Sequence, residues 1–187
     1  MESNQKIVIG IVGANGSGKD TVCDYLVEKH KAEKLVFSDL LKEALQVFIG
    51  DIGRSDYAWL ATILREKYGE GILAHSMQRK IDQRSAKIVV IAGVRDRGEL
   101  KMIKSYQNGI LICVETNLKI RWKRLVSRNV KADDKVSLEV FKETKENLPS
   151  EKYIQELSNQ ADYTINNNGD FAELEKGIDE VVSSMKL

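Results

Sequence analysis

Five short runs of apolar, largely β-branched residues punctuate the chain, at Ile7 to Val12, Lys34 to Phe37, Ile88 to Ala92, Ile110 to Val114 and Tyr163 to Ile165. The longer runs do not alternate apolar with polar positions, as a strand with one wet face does, so they read as strands buried on both sides. Between them the apolar spacing turns helical, over Thr21 to His30, Asp56 to Tyr68, Glu99 to Tyr106, Leu118 to Arg128 and Phe171 to Met185. Strand alternating with helix predicts an α/β fold, with a parallel sheet covered by helices on both faces. Punctuation fits these limits. Asp170 followed by Glu173 resembles a capping box at the start of the last helix, and Asn117 is placed to cap the helix that carries Arg121. Pro149 falls within a polar helical stretch from Ser137 to Asn159 and is expected to divide it into two helices.

Composition narrows the class. With 187 residues, 42% of them hydrophobic, the chain can bury one continuous core, and neither a repeat nor a low-complexity linker divides it. The 29 Lys and Arg residues nearly balance 28 Asp and Glu, which argues against nonspecific attraction to nucleic acid or membrane and makes any anion site a local one. Cys23 and Cys113 fall on a predicted helix and a buried strand, so neither a disulfide framework nor a zinc knuckle is indicated. The apolar run that follows Met1 to Lys6 is too short for a signal sequence or a membrane span, and a cytoplasmic location is expected.

The local site is visible directly after the first strand, in Gly13-Ala-Asn15-Gly16-Ser17-Gly18-Lys19-Asp20-Thr21, and a helical pattern follows. A glycine loop between strand and helix aims successive backbone N–H groups at phosphate oxygens, and the helix N-terminus adds the positive end of its dipole. Lys19 would reach the β- and γ-phosphates. The usual pattern has Ser or Thr directly after the lysine. Here Asp20 intervenes, so Mg2+ falls either to Asp20 through water or to other acids, with Thr21 on the α-phosphate. A rival reading takes Gly13, Gly16 and Gly18 as a dinucleotide-binding turn, with Asp39 as the ribose acid. Lys19 speaks against it, and the only Tyr-x-x-x-Lys, Tyr25 to Lys29, sits on the first helix.

Segments GIVGANGSGKDTV, FSDLLKEAL, LREKYGEGILA, VVIAGVRDRGEL, RWKRLVSRN and ADYTINNNGDFAEL, in that order, give the chain from Gly10 onward a resemblance to nucleoside monophosphate kinase-like enzymes. It is most similar to archaeal adenylate-kinase-related nucleotide kinases and more loosely to dephospho-CoA kinases. The resemblance implies a three-layer P-loop NTPase fold with a five-stranded parallel sheet. It further implies one domain over 1–187, a helical acceptor-binding insert at 40–85, a lid over 121–160, and ATP with Mg2+ as cofactors. The implied partner is a small nucleotide acceptor; oligomeric state is not written in these motifs.

Individual residues acquire expected roles from it. Asp39, just past the second strand, would contact the acceptor or the metal shell, unless Ser38 or Asp39 simply caps the helix Leu40 to Val47. Arg95 follows the third strand, where a guanidinium can take a phosphate bidentately, although relatives tend to carry an aspartate at the position of Ala92. Arg121, Arg124 and Arg128 form one helical stripe beside an apolar one of Leu118, Trp122, Leu125 and Val126. Arg124 and Arg128 match the lid arginines best, Asn168 would border the adenine, and Arg65 is a candidate for the acceptor phosphate. A dephospho-CoA kinase, with Asp39 as base toward a ribose hydroxyl, and an ATPase switch protein that remodels a partner remain the alternatives.

Overall fold

A computed structural model describes residues 6–128, 137–145 and 149–185. Its strands are β1 (Ile7–Val12), β2 (Glu33–Val36), β3 (Ile88–Ala92), β4 (Asn108–Glu115) and β5 (Tyr163–Asn166). The helices are α1 (Lys19–His30), α2 (Phe37–Gln46), α3 (Arg54–Tyr68), α4 (Ile72–Asp82), α5 (Arg97–Lys104), α6 (Leu118–Arg128), α7 (Leu138–Lys145), α8 (Pro149–Ser158) and α9 (Phe171–Ser184). The segment 129–135, expected at the tip of a lid, lies outside the described residues.

All pairings are parallel, in the order β2-β3-β1-β4-β5. The chain works outward from β1 to β2, returns through β3, then crosses β1 to reach β4. The carboxyl end of β1 is therefore the switch point of the sheet, where open α/β sheets bind their ligands. This order also rules out the dinucleotide-binding alternative, which needs β2 beside β1; here β3 stands between them. The Tyr25–Lys29 pair is likewise turned to α9, where both side chains hydrogen-bond Asp179.

Because side chains alternate across a strand, β1 feeds two cores. Ile7, Ile9 and Ile11 pack with α1 and α9, including Leu26 and Ile178. Val8 and Val12 pack on the other face with Met77, Ile103 and Leu157 from α4, α5 and α8. Each fully buried Ile or Val contributes about 1.5–3 kcal/mol. Gly10 interrupts the run because a Cβ there would come within 2.5 Å of Ile103 Cδ1.

Two boundaries differ from expectation. The second strand ends at Val36, and Phe37 already belongs to α2, because its ring packs into the separate apolar cluster of the insert with Leu41, Ala61 and Leu73. With Val36 at the N-cap, neither Ser38 nor Asp39 caps that helix; both lie in its first turn. Pro149 opens α8, and Asp170 caps α9 by accepting a hydrogen bond from the Glu173 amide at 2.9 Å.

On the back of the molecule, Asp179 of α9 accepts from Lys29 Nζ at 2.5 Å and Tyr25 Oη at 3.1 Å, and lies 3.2 Å from His30 Nε2. Chiefly through the Lys29 hydrogen bond, the Asp179 carboxyl is held below its ordinary range. A depressed acid stabilises the fold above its unfolded pKa and loses that contribution as the pH falls through the folded one. Thermal melts of D179N should therefore lie below wild type at neutral pH, the gap closing below about pH 4. A gap that persists in acid would mean the pair is not its source.

Candidate active site

The loop after β1 is fixed from above. Gly16 and Gly18 adopt φ of 82° and 92°, and a Cβ on Gly16 would meet the Arg121 carbonyl at 3.0 Å and Leu125 at 3.1 Å. Helix α6 thus lies directly on the loop. Lys19, in the first turn of α1, donates from Nζ to the Ala14 carbonyl at 2.9 Å. Asp20 points away: its carboxylate is 83% exposed and 3.5 Å from Lys34 Nζ, which also bonds Asp24 at 2.8 Å. Thr21 follows, partly buried on α1.

Asn167, which the sequence reading passed over in favour of its neighbour, ties the site together. Buried at 5% exposure, it donates from Nδ2 to the Ser17 carbonyl at 2.8 Å and accepts at Oδ1 from Arg124 Nη2 at 3.2 Å. Its main chain is held in turn, the amide by the Glu115 carbonyl at 2.8 Å and the carbonyl by Thr116 Oγ1 at 3.2 Å. Asn168 instead accepts from the Asn117 amide at 2.7 Å and lines a cleft of about 510 Å³ between Gly13, Thr116 and α8. The signal that separates them is strand periodicity: Ile165 is buried, Asn166 exposed and Asn167 buried, so the alternation of β5 runs on into the turn.

The expected arginine stripe splits. Arg121, 6% exposed, turns inward and holds backbone, donating to the Thr116 carbonyl at 3.0 Å and to that of Asn15 at 3.5 Å. Arg124 reaches the glycine loop, its Nη1 lying 3.8 Å from where a Gly18 Cβ would be, while Arg128 one turn further is exposed. In the neighbouring apolar stripe Leu125 is buried but Val126 is 38% exposed, so that stripe covers the core only in part.

The carboxyl ends of β3 and β2 complete this edge of the sheet. After Ala92, the amides of Gly93 and Val94 donate to the Ile11 carbonyl at 3.1 and 3.0 Å, and Arg95 extends into solvent. Asp96 caps α5 and lies 3.9 Å from Arg65 of α3, which brings the insert to the same turn. Asp39 is exposed one strand further out. The structure thus gathers the glycine loop, Arg124 and Asn168 at one point, with Arg95 one strand away and Asp39 two.

An anionic group fits this cradle. Arg124 Nη1 and Ser17 Oγ are buried without a hydrogen-bond partner among the described residues, and glycines stand where side chains would close the space. No group of three or more metal-ligating side chains occurs among the described residues. Magnesium at a nucleotide needs none, since it keeps several waters and takes one or two protein oxygens besides phosphate.

Asn167→Ala is expected to cost about 1–3 kcal/mol in chemical denaturation and to weaken ATP binding, because it strips the Ser17 carbonyl and Arg124 of a shared partner. Asn168→Ala should do less on both measures. Equal effects would deny Asn167 its special place.

The sheet order and the glycine loop define a P-loop kinase fold. Shikimate kinase from Bacteroides thetaiotaomicron superposes with a TM-score of 0.60 at 15% identity, over 97% of this chain and 99% of that one. Shikimate kinase from Acinetobacter baumannii, in complex with shikimate, gives 0.57 at 20% identity, over 98% and 97%. At such identities the likeness is one of fold. In sequence, a family profile described as an AAA domain, AAA_18, matches residues 9–146. The UPF0200 protein of Saccharolobus solfataricus is 30% identical over 177 residues, 93% of this chain and 91% of that protein. That of Methanococcus maripaludis is 28% identical over 171 residues, 88% and 89%. The chain belongs to the UPF0200 family and carries the AAA domain that the profile describes. No helix among the described residues is long and apolar enough to cross a membrane.

Proposed function

We propose that the chain is an ATP-dependent phosphotransferase with a nucleoside monophosphate or similar nucleotide as acceptor. The observation that carries this reading is the half-buried Arg124 guanidinium, packed on the glycine loop with its Nη1 buried and unpartnered among the described residues. A cation whose buried nitrogen finds no partner beside a glycine loop is relieved by an anion in that loop.

When bound, ATP supplies the γ-phosphoryl group, and Mg2+ offsets its charge. The amides of residues 13–21 hold the β- and γ-phosphates, and Lys19 swings from the Ala14 carbonyl to meet them. Arg124 and Arg128 meet the charge that spreads over the phosphoryl oxygens; Thr21, or Asp20 through water once it turns from Lys34, would hold the metal. Arg95 and Asp39 hold the acceptor; should its nucleophile be a hydroxyl, Asp39 is the base. The insert at 40–85 grips the acceptor, the lid over 121–160 excludes water, and Asn168 borders the adenine.

The test is to incubate the protein with Mg-ATP and a panel of nucleoside and deoxynucleoside monophosphates plus dephospho-CoA, following ADP and the phosphorylated acceptor together. Equimolar ADP and phosphorylated nucleoside monophosphate are expected. Transfer to dephospho-CoA alone would move the acceptor to a ribose hydroxyl, and ADP with no phosphorylated acceptor would favour an ATPase switch.

A further inference from the structure

The buried polar side chains among the described residues are Ser17, Arg121, Asn167 and Glu99. The first three serve the glycine loop. Glu99 sits apart, 5% exposed, beneath the turn that follows β3. Its Oε2 accepts from the Arg95 amide at 2.6 Å, while its own amide donates to Asp96 Oδ1 at 2.8 Å. The turn is thus braced from one side by two carboxyl groups and from the other by the Ile11 carbonyl, which holds Gly93 and Val94. Ile11 lies two residues before the glycine loop, so the Arg95 backbone is fixed relative to that loop. A capping role alone would not require burial; an exposed glutamate caps as well and escapes the cost of desolvation.

We propose that Glu99 is a positioning residue: by holding the Arg95 main chain, it aims that guanidinium at the anionic group of the acceptor. The inference rests on the phosphotransferase reading and assigns Glu99 a place in it. Burial first, and then the charge of Asp96, push the Glu99 carboxyl up to about 8, against the opposing pull of the Arg95 and Asp96 amides and the Arg95 charge. The charged groups near it are Arg95 and Asp96, with Arg65 of α3 reaching Asp96. The core cluster that α5 enters through Leu100 and Ile103 is apolar, Met77 and Ile81 of α4 and Leu111 of β4 among its members. At neutral pH the protonated side chain adds no negative charge behind Arg95. Above about pH 8 it ionises and competes with the acceptor's phosphate for that charge.

Two variants of the full chain test this. Glu99→Leu keeps the site filled and apolar but removes the acceptor of the Arg95 N–H, while Glu99→Gln keeps that acceptor and cannot ionise. Rates with Mg-ATP and the nucleoside monophosphates would be followed from about pH 6.5 to about pH 9.5. E99L should raise the acceptor KM about tenfold or more and leave the ATP KM within about twofold. E99Q should keep the low acceptor KM and lose the rise that wild type shows in alkali. An unchanged acceptor KM in E99L, an equal rise for ATP, or an alkaline rise that persists in E99Q would overturn the proposal. Should wild type transfer to none of the panel, the kinase reading fails separately, and calorimetry with the same nucleotides decides Glu99. Weaker binding to E99L than to wild type upholds it, whereas equal or absent binding overturns it.

Discussion

Replacing Lys19 by alanine is expected to lower phosphoryl transfer by about a thousandfold or more while leaving the fold intact. The two effects separate because the side chain does different things with and without a nucleotide. In the structure as described, its ammonium reaches its own loop, donating to the Ala14 carbonyl at 2.9 Å from a half-buried position. Such a bond is worth about 0.5–1.5 kcal/mol, and the carbonyl it leaves can turn to water, so the melting temperature should shift little. With phosphates in the loop, the same ammonium faces charge that grows in the transition state, and no neighbouring group replaces it. A coupled assay for ADP beside a thermal melt reads both. Turnover near wild type would remove Lys19 from the mechanism; a collapse in melting temperature would make the loss of activity uninformative about it and give the side chain a folding role instead.

A second large effect is expected at Gly18, and Gly69 supplies its control. Both hold a positive φ that disfavours any side chain, 92° with ψ 19° at Gly18 and 90° with ψ 160° at Gly69, but in different surroundings. A Cβ on Gly69 meets nothing within 4 Å, whereas one on Gly18 would stand 2.2 Å from Asn167 Nδ2. Gly69→Ala should therefore cost only backbone strain, about 1–3 kcal/mol in a region that glycine alone readily populates. Gly18→Ala carries left-handed strain of about 1–2 kcal/mol and also expels Asn167, which frees the Ser17 carbonyl and removes the partner of Arg124. Affinity for ATP should fall about a hundredfold or more in the Gly18 variant and stay within about twofold in the Gly69 variant. Matching losses in the two would trace the defect to strain alone.

Much of this architecture is legible in the sequence because its signals are local. The strands announce themselves as apolar runs, and the glycine loop carries its geometry in its spacing. What is not legible depends on which elements meet. The insertion of β3 between β1 and β2 leaves no mark on either strand, yet it decides against a dinucleotide site. Arg121, Arg124 and Arg128 look alike on a helical stripe; only the approach of α6 to the loop turns the first inward and brings the second against Gly18. Three consecutive asparagines are chemically identical, and the choice among them comes from the phase of β5. Glu99 reads as an ordinary first-turn acid, because its 5% exposure is set by how α5 is laid on the fold and not by its neighbours in the chain.

The small cluster of Leu41, Ala61 and Leu73 has a mechanical meaning. With Tyr57, Leu60, Leu64 and Ile72 it gives α2, α3 and α4 an apolar centre that belongs to them, and Phe37 is shared between that centre and the main core. Helix α4 is anchored to the main core through Ala74, Met77 and Ile81, whereas the apolar residues of α3 pack in the small centre, so α3 can shift without unpacking the sheet. Phe37 and Leu40 likewise tie α2 to the main core, and Asp39 stands between them in the chain. Arg65 rides on α3, so a small shift of that helix would open or close the gap to Asp96 while Asp39, on α2, barely moved.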